Sequence, residues 1–554
     1  MRKKNQSGKE ELMSFSKQKL NSVFWISAIF IAVFVIIGAI FPNTFAKYAN
    51  TVYDYTASSF GWLYLLAMFI FVVFLVYMAA SKYGRIRLGG KNQKPEYSLF
   101  AWISMLFSAG FGIALVFYGV GEPMSHFFTP PMKDVKPLSE EAARLAMDYS
   151  FFHYGVSQWS VFAVVGLCMA YFQFRKKKNG LISTSLEPLI GKKKQVKPLK
   201  RLIDILAIVA TIIGIATSIG LGVAQMNGGL HTVFGISNGT GTQLIIIVVM
   251  AVMFITSSST GLDKGIKWLS TINLGVAIAL MLFVFFAGPT VFILETFTVA
   301  LGDYFSNFIS YSLRLTPYTG ETWVKEWTVF YWAWVIAWSP FVGAFIARIS
   351  KGRTIREFIF GVLVAPPAIA VVWMAIFGGT ALHMDLFEGT KIAAAVNNDI
   401  TSALFTTFEG LPLSTILSVV SLLLILTFLV TSADSAVYIL GSMSSNGSLN
   451  PPLLIRIVWG VLLSSIAAVL LLSSGLTGLQ TASLVAALPF TIIVLLMIVS
   501  FVKDLRHETV PIQETNKQKE ASLQKEAKLN KGKHVKKEIG SNKVSPVTIQ
   551  KNLS

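Results

Sequence analysis

The chain has 554 residues, 54% of them apolar and 14% charged, with a mean hydropathy of +0.63. A soluble globular protein carries about 25% charged residues, so a water-soluble enzyme, a fibre and a disordered scaffold are excluded. The formal charge of +19 is assigned to basic loops and tails beside an anionic lipid leaflet, not to nucleic acid, and a single cysteine, Cys168, excludes intramolecular disulfides and Cys-based metal sites.

A hydrocarbon core about 30 Å thick needs about 20 apolar residues of helix. Along the chain such segments fall at 22–41, 59–80, 98–120, 150–173, 202–225, 242–258, 267–294, 327–349, 357–380, 413–440, 453–474 and 478–502. The polar residues 1–20 precede the first, and no small-residue cleavage site follows it, so it reads as an uncleaved helix. The loops alternate in charge. Lys82, Arg85, Arg87, Lys91 and Lys94 follow the second segment; Arg175 to Lys178, Lys192 to Lys194, Lys197, Lys200 and Arg201 follow the fourth; Arg348, Lys351, Arg353 and Arg356 follow the eighth. Residues 226–241 carry no Lys or Arg, and 121–149 have no positive excess, with three Lys/Arg against five Asp/Glu. The excess of Lys and Arg in alternate loops puts both termini in the cytoplasm, which requires an even number of crossings, and twelve satisfies it. The loop after the tenth segment contributes only Arg456. Between segments, 296–313 reads as an amphipathic helix on the membrane surface, and 391–408 as a second one. The tail 503–554 holds 12 Lys/Arg and 6 Asp/Glu. It is either a solvated tail or a helix attracted to anionic lipid in a salt-dependent way.

Within the segments, ionisable side chains are scarce. Asp434 lies near the cytoplasmic end of the tenth, and Glu122, Asp204, Glu295 and Arg348 at segment ends. With no His in mid-segment and no row of carboxylates, a relay of buried acids and a pore of charged rings both lack material. The interior offers rings, glycines and hydroxyls instead. Trp327, Trp334 and Trp338 are spaced i, i+7, i+11 on one helix face. Interfacial anchoring explains Trp327; the deeper pair reads as a cation-binding face, because indole is the strongest cation–π partner, or as helix packing. Gly110, Gly112, Gly119 and Gly121 either let helices pack closely or permit local unwinding, which lipid tolerates only where backbone lines a cavity. Thr431 and Ser432 present adjacent hydroxyls that either bond back to their helix or join bare carbonyls in an oxygen cage for Na⁺.

The stretch Trp327, Thr328, Phe330, Tyr331, Trp332, Trp334 resembles the betaine–choline–carnitine transporter signature, close to WTxFYWxWW. It departs at Val335, where the family carries another Trp, and at Glu326. FYGxxEP, FFH…W, WSPFVGAFIARIS and TSADSA match in the same order, so the likeness spans about residues 20–500. The resemblance implies an all-α polytopic fold of the leucine-transporter type. Its parts would be a cytoplasmic tail (1–20), two extra helices (21–97), a first five-helix repeat (98–296), a surface helix and loop (297–326), an inverted second repeat (327–502) and the basic tail (503–554), often assembled as a trimer. It implies no enzyme activity but uptake of a trimethylammonium solute driven by Na⁺. By position, Trp334 and Trp338 would box the ammonium, and Ser218 with the backbone at Ala109, Gly110 and Phe111 would receive a carboxylate or hydroxyl. Tyr154, Trp159 and Phe162 match a second aromatic wall, usually begun by Trp. Phe117 and Phe345 fall on gating positions. Ser108, Phe111, Phe428, Thr431 and Ser432 match one sodium site. Thr211 and Phe341 match another, from which Ile215 departs by replacing a Thr. Ala114 stands where proton-coupled choline members carry an acid, which disfavours proton coupling. Glycine betaine and choline are the leading substrates, with proton-coupled or exchange transport of choline, carnitine or ectoine as the alternative. An amino-acid permease on the same fold would not need the clustered Trp, and a channel or membrane scaffold would need charged rings.

Overall fold

A computed structural model describes residues 21–508 apart from 111, 261, 262 and 449, and leaves out the side chains of 107–110 and 259–268. The basic tail beyond Glu508 lies outside the described residues. Those described are helical, with one isolated β-bridge between Arg87 and Thr354. In chain order the long helices are α1 (Ser22–Ile40), α2 (Pro42–Ala80), α3 (Leu99–Gly110), α4 (Ile113–Phe128), α5 (Glu140–Tyr154), α6 (Val156–Ala170) and α7 (Lys197–Phe234). They continue with α8 (Thr240–Thr260), α9 (Asp263–Ala287), α10 (Thr290–Ser312), α11 (Phe330–Ile349), α12 (Ile355–His383), α13 (Ser414–Ser444) and α14 (Leu453–Leu505).

Among the described residues, ten helical stretches are long and apolar enough to cross a membrane. The difference from the segments read in the sequence has two sources. Segment 98–120 is divided into α3 and α4, because Gly112 is extended at φ −141°, ψ 176°. Segments 453–474 and 478–502 run together as α14, with non-helical Gly475 at φ 58° between them. That left-handed φ suits glycine and marks a kink rather than a loop. Other boundaries also move. The seventh segment ends at Ala287, where Gly288 and Pro289 stop the helix, and the surface helix α10 starts at Thr290 rather than 296. The fourth segment begins within α5, which ends before non-helical Gly155 (ψ −150°). Residues 391–408 are not one helix but two short ones, Ile392–Asn398 and Ala403–Glu409, with a tight turn between them.

Burial sorts the bundle into a shell and a centre. α1, α2 and α8 expose apolar faces, including Trp25, Ile29, Phe30, Ile245, Val248 and Val252. Such surface is expected against hydrocarbon, not water. α6, by contrast, is buried at every residue from Ser157 to Ala170, and packs against α11. The basic loops gather at one end. Leu88 N–H donates to Arg353 O (2.8 Å), Arg175 Nη1 to Gly89 O (3.1 Å), and Arg175 and Lys176 each pair with Glu508 at 2.8 Å. The Glu508 carboxyl is raised by burial, but hydrogen bonds from Arg175 and Lys176 outweigh this and hold it below its usual range.

Candidate functional site

The break between α3 and α4 frees the backbone at Gly112, and α7, α11 and α13 close around it. A small cavity there is lined by Gly112, Ile113, Ala114, Ile215, Ser218, Ile219, Trp338, Phe341 and Ser432. Close helix approach builds it. A Cβ on Gly214 of α7 would lie 2.8 Å from Trp338 N of α11, so only glycine lets the two backbones meet at this depth.

Four of the expected residues, Trp338, Ser218, Phe341 and Ser432, share this cavity. Trp338 anchors a chain of rings: its centroid is 5.7 Å from Phe162 at 78°, and 6.0 Å from Phe341. Phe162 meets Trp159 at 5.4 Å and 84°. Trp334 is elsewhere. It is buried, stacks on Phe330 (5.9 Å, 3°), and donates from Nε1 to Gly214 O at 3.3 Å. Val335 is buried but is not among the residues lining the cavity. Trp327 and Trp334 both meet Tyr118, each at 6.3 Å, and of the three indoles Trp338 lines the cavity. Residues Lys325–Val329 form a wide π-helical turn that holds Trp327 against Trp323 (6.4 Å) and His126 (4.5 Å).

Among the hydroxyls, Thr431 Oγ1 bonds back to Thr427 O (2.9 Å) and Phe428 O (3.3 Å), and buried Thr211 bonds to Ala207 O (2.7 Å). Ile215, one turn beyond Thr211, presents an alkyl group to the cavity. Ser108, Ala109 and Gly110 close α3, with their side chains left out, and Phe111 lies outside the described residues. Phe117 is buried against Tyr118 (4.7 Å), and Phe345 is half-buried. Tyr154 is outside the cavity wall: its hydroxyl donates to Ala114 O (3.2 Å) and meets Tyr331 Oη at 3.3 Å.

One buried group escaped the sequence reading. Glu122, His126 and His153 are each 0% exposed, which corrects the expectation of an interior without histidine. α4 runs on to Phe128 and α5 starts at Glu140, so residues taken for segment ends lie inside the bundle. Glu122 Oε1 is 2.6 Å from His153 Nδ1 and 3.2 Å from His126 Nε2, while Tyr331 Oη donates to Oε2. His153 Nε2 lies 3.0 Å from Thr328 Oγ1. These are hydrogen-bond separations. The signal was present, since Glu122 and His153 belong to the FYGxxEP and FFH runs, but helix contacts were needed to join them.

A family model described as betaine/carnitine/choline family transporter matches residues 22–510. The chain is 62% identical over 485 residues, 88% of its length and 96% of the relative's, to the ectoine/hydroxyectoine transporter of Virgibacillus pantothenticus. It is 45% identical over 501 residues (90% and 97%) to the glycine betaine transporter OpuD of Bacillus subtilis. With the osmo-dependent choline transporter BetT2 of Acinetobacter baylyi it shares 39% over 499 residues (89% and 72%).

Proposed function

The chain belongs to the betaine/carnitine/choline family of transporters, and from that premise we propose that it takes up ectoine or hydroxyectoine, driven by sodium, as an osmoprotectant. The observation that carries the choice is the 62% identity, over nearly its whole length, to a relative with that name. The cavity chemistry agrees. Ectoine is a cyclic zwitterion whose planar amidinium bears N–H groups. A delocalised cation of this shape needs one indole face for stacking and oxygen acceptors for its donors. The cavity offers the single indole of Trp338 with the hydroxyls of Ser218 and Ser432. A trimethylammonium group has no N–H to donate and gains most from several rings, whereas Trp334 is engaged with Phe330 and Gly214.

In this reading Na⁺ binds between the end of α3 (Ser108, Phe111) and α13 (Phe428 carbonyl, Thr431, Ser432), and pins the broken helix against the solute site. Thr211 and Phe341 would serve a second ion only weakly beside Ile215. Transport follows by alternating exposure of the cavity, with both termini cytoplasmic. One charge moved through 100 mV supplies about 2.3 kcal/mol, enough for roughly fifty-fold accumulation. Assembly as a homotrimer and contact of the basic tail with anionic lipid complete the proposal.

The test is uptake of labelled ectoine, hydroxyectoine, glycine betaine, choline and carnitine into proteoliposomes, with and without a sodium gradient. Ectoine uptake that collapses without the gradient is expected. Glycine betaine accumulated in preference to ectoine would replace the substrate with the second reading, which the 45% identity to OpuD favours. Equal uptake without sodium would remove the coupling ion.

A further inference from the structure

The cluster of Glu122, His126 and His153 lies at the end of the bundle away from the basic loops, and has no part in the cavity. Its hydrogen bonds leave a charge to be balanced. Glu122 accepts from Tyr331 and faces an imidazole nitrogen of each histidine, and these contacts include no Lys or Arg among the described residues. A carboxylate with two neutral imidazoles is a net negative charge in a fully buried site, which is costly unless a cation joins it. The cluster also contains a vacant acceptor. His126 Nε2 faces Glu122, and its Nδ1 is buried without a hydrogen-bond partner. The ring lies against two indoles, Trp323 at 4.8 Å (59°) and Trp327 at 4.5 Å (77°). Indole faces stabilise an imidazolium over an imidazole.

We propose that His126 is a proton-binding site of this transporter, with Glu122 as its counter-ion and Trp323 and Trp327 as its walls, and that its occupancy holds this end of the bundle closed. A hydronium ion gives its proton to Nδ1 and leaves as water when that end opens. On closure the imidazolium is sealed in beside the carboxylate. The site reaches the cavity through hydroxyls: Glu122 to Tyr331, Tyr331 to Tyr154, and Tyr154 to the carbonyl of Ala114, which lines the cavity. It ties three elements together, α4 through Glu122 and His126, α5 through His153, and α11 with its π-turn through Tyr331 and Thr328. These must part for the cavity to open at that end.

The other titratable groups around it are accounted for. On α4 and α5 they are the phenols of Tyr118, Tyr149 and Tyr154, and Asp148, whose Oδ2 accepts from Asn307 at 3.2 Å. On the side of α10, Tyr311 stacks on Tyr149 (4.2 Å), and Arg314 donates to Tyr149 Oη at 2.6 Å and faces Glu321 at 3.5 Å. On the π-turn and α11 they are Lys325, whose Nζ donates to Ser58 Oγ at 3.2 Å, Glu326 and Tyr331. α12, which packs on α4, has His383 paired with Glu388 at 3.1 Å, and Asp385 just beyond it bonds the backbone N–H groups of Ile392 and Ala393. Histidine is the side chain whose charge changes in the physiological range, and His126 is the one here that combines an orphan nitrogen with a carboxylate and two indoles.

The experiment reads tryptophan fluorescence of the purified full-length protein between about pH 5.5 and about pH 8.5. It needs no substrate, so it stands apart from the assignment of ectoine. Imidazolium quenches adjacent indole, so wild type should dim on acidification along a one-proton curve, and His126→Gln should lose that component. Trp327→Leu, which keeps the histidine, should move the midpoint to lower pH by about half a unit or more. In proteoliposomes at equal pH on both faces, wild-type uptake of whichever solute it accumulates should rise about three-fold or more from the acid to the alkaline limit, and the His126→Gln profile should be flat. A pH-independent wild type, or a His126→Gln variant with the wild-type curve, overturns the proposal. Micromolar Zn²⁺ inhibition that His126→Gln abolishes would reassign the three side chains to a metal and overturn it too.

Discussion

The cavity and the buried cluster, linked by the hydroxyls of Tyr331 and Tyr154, solve opposite problems. The cavity is lined by rings, hydroxyls and the alkyl groups of Ile113, Ala114, Ile215 and Ile219, with no ionised side chain. A solute and an ion that bring their own charges can enter and leave it without breaking a fixed salt bridge. The cluster instead seals a carboxylate among three helices, where its charge has to be balanced. Weak, uncharged contacts suit a site that must release its ligand; a buried ionic group suits a joint between helices.

The sharpest way to break that contrast is through the two tryptophans. Trp338→Ala removes a ring that faces the cavity, and desolvated cation–π contacts are worth about 2 kcal/mol or more. Solute kcat/KM should therefore fall by about 30-fold or more, with little change in Tm. Wild-type kinetics in this variant would remove the cavity assignment. Next in size is the ion. Thr431→Ala with Ser432→Ala should raise the sodium concentration for half-maximal uptake by about ten-fold, equivalent to about 1.4 kcal/mol. Unchanged sodium dependence would take α13 out of the coupling site. Trp334→Phe keeps the stack on Phe330 and deletes the Nε1 bond to Gly214 O. It should cost about 1 kcal/mol of stability, seen as a lower Tm with KM preserved. The reverse pattern, a changed KM at unchanged Tm, would show that Trp334 faces the solute.

Those expectations also mark what the sequence could carry. Membrane helices were legible because the hydrophobic runs needed only length and polarity to be recognised, whereas Gly110 and Gly112 inside 98–120 left unwinding open beside close packing and did not divide the segment. The continuity of α14 was not legible either. Gly475 within LLLSSGLTG reads as a loop, but helical hydrogen bonding continues on both sides of its positive φ. The wide turn at Lys325–Val329, which holds Trp327, was not legible for a similar reason, because spacing arithmetic assumes 3.6 residues per turn. Ser218 and Ser432 were found by position in a resembling family. Their meeting with Trp338 in one cavity is a tertiary fact, as is the meeting of Glu122 with His153, 31 positions apart.

The smallest expected effect lies at the opposite end, where half-buried charge serves neither site. Arg175 and Lys176 hold Glu508 at the base of the tail, and their hydrogen bonds keep its carboxyl below the ordinary range despite burial. The sign follows from linkage. A carboxyl whose folded pKa is depressed adds stability above its unfolded pKa, about 4.3, and loses it as pH falls through the folded value. Glu187, held low in the same way by Lys178 and Lys200 against its own desolvation, acts in the same direction. Wild-type Tm should thus decline below about pH 4.5, and Glu508→Gln should flatten part of that decline while lowering Tm near neutrality by a degree or two. Solvent screens these pairs, so solute uptake at neutral pH should barely move. A large loss of uptake in Glu508→Gln would mean that the basic end takes part in transport, and the division of labour between the uncharged cavity and the charged joints would fail.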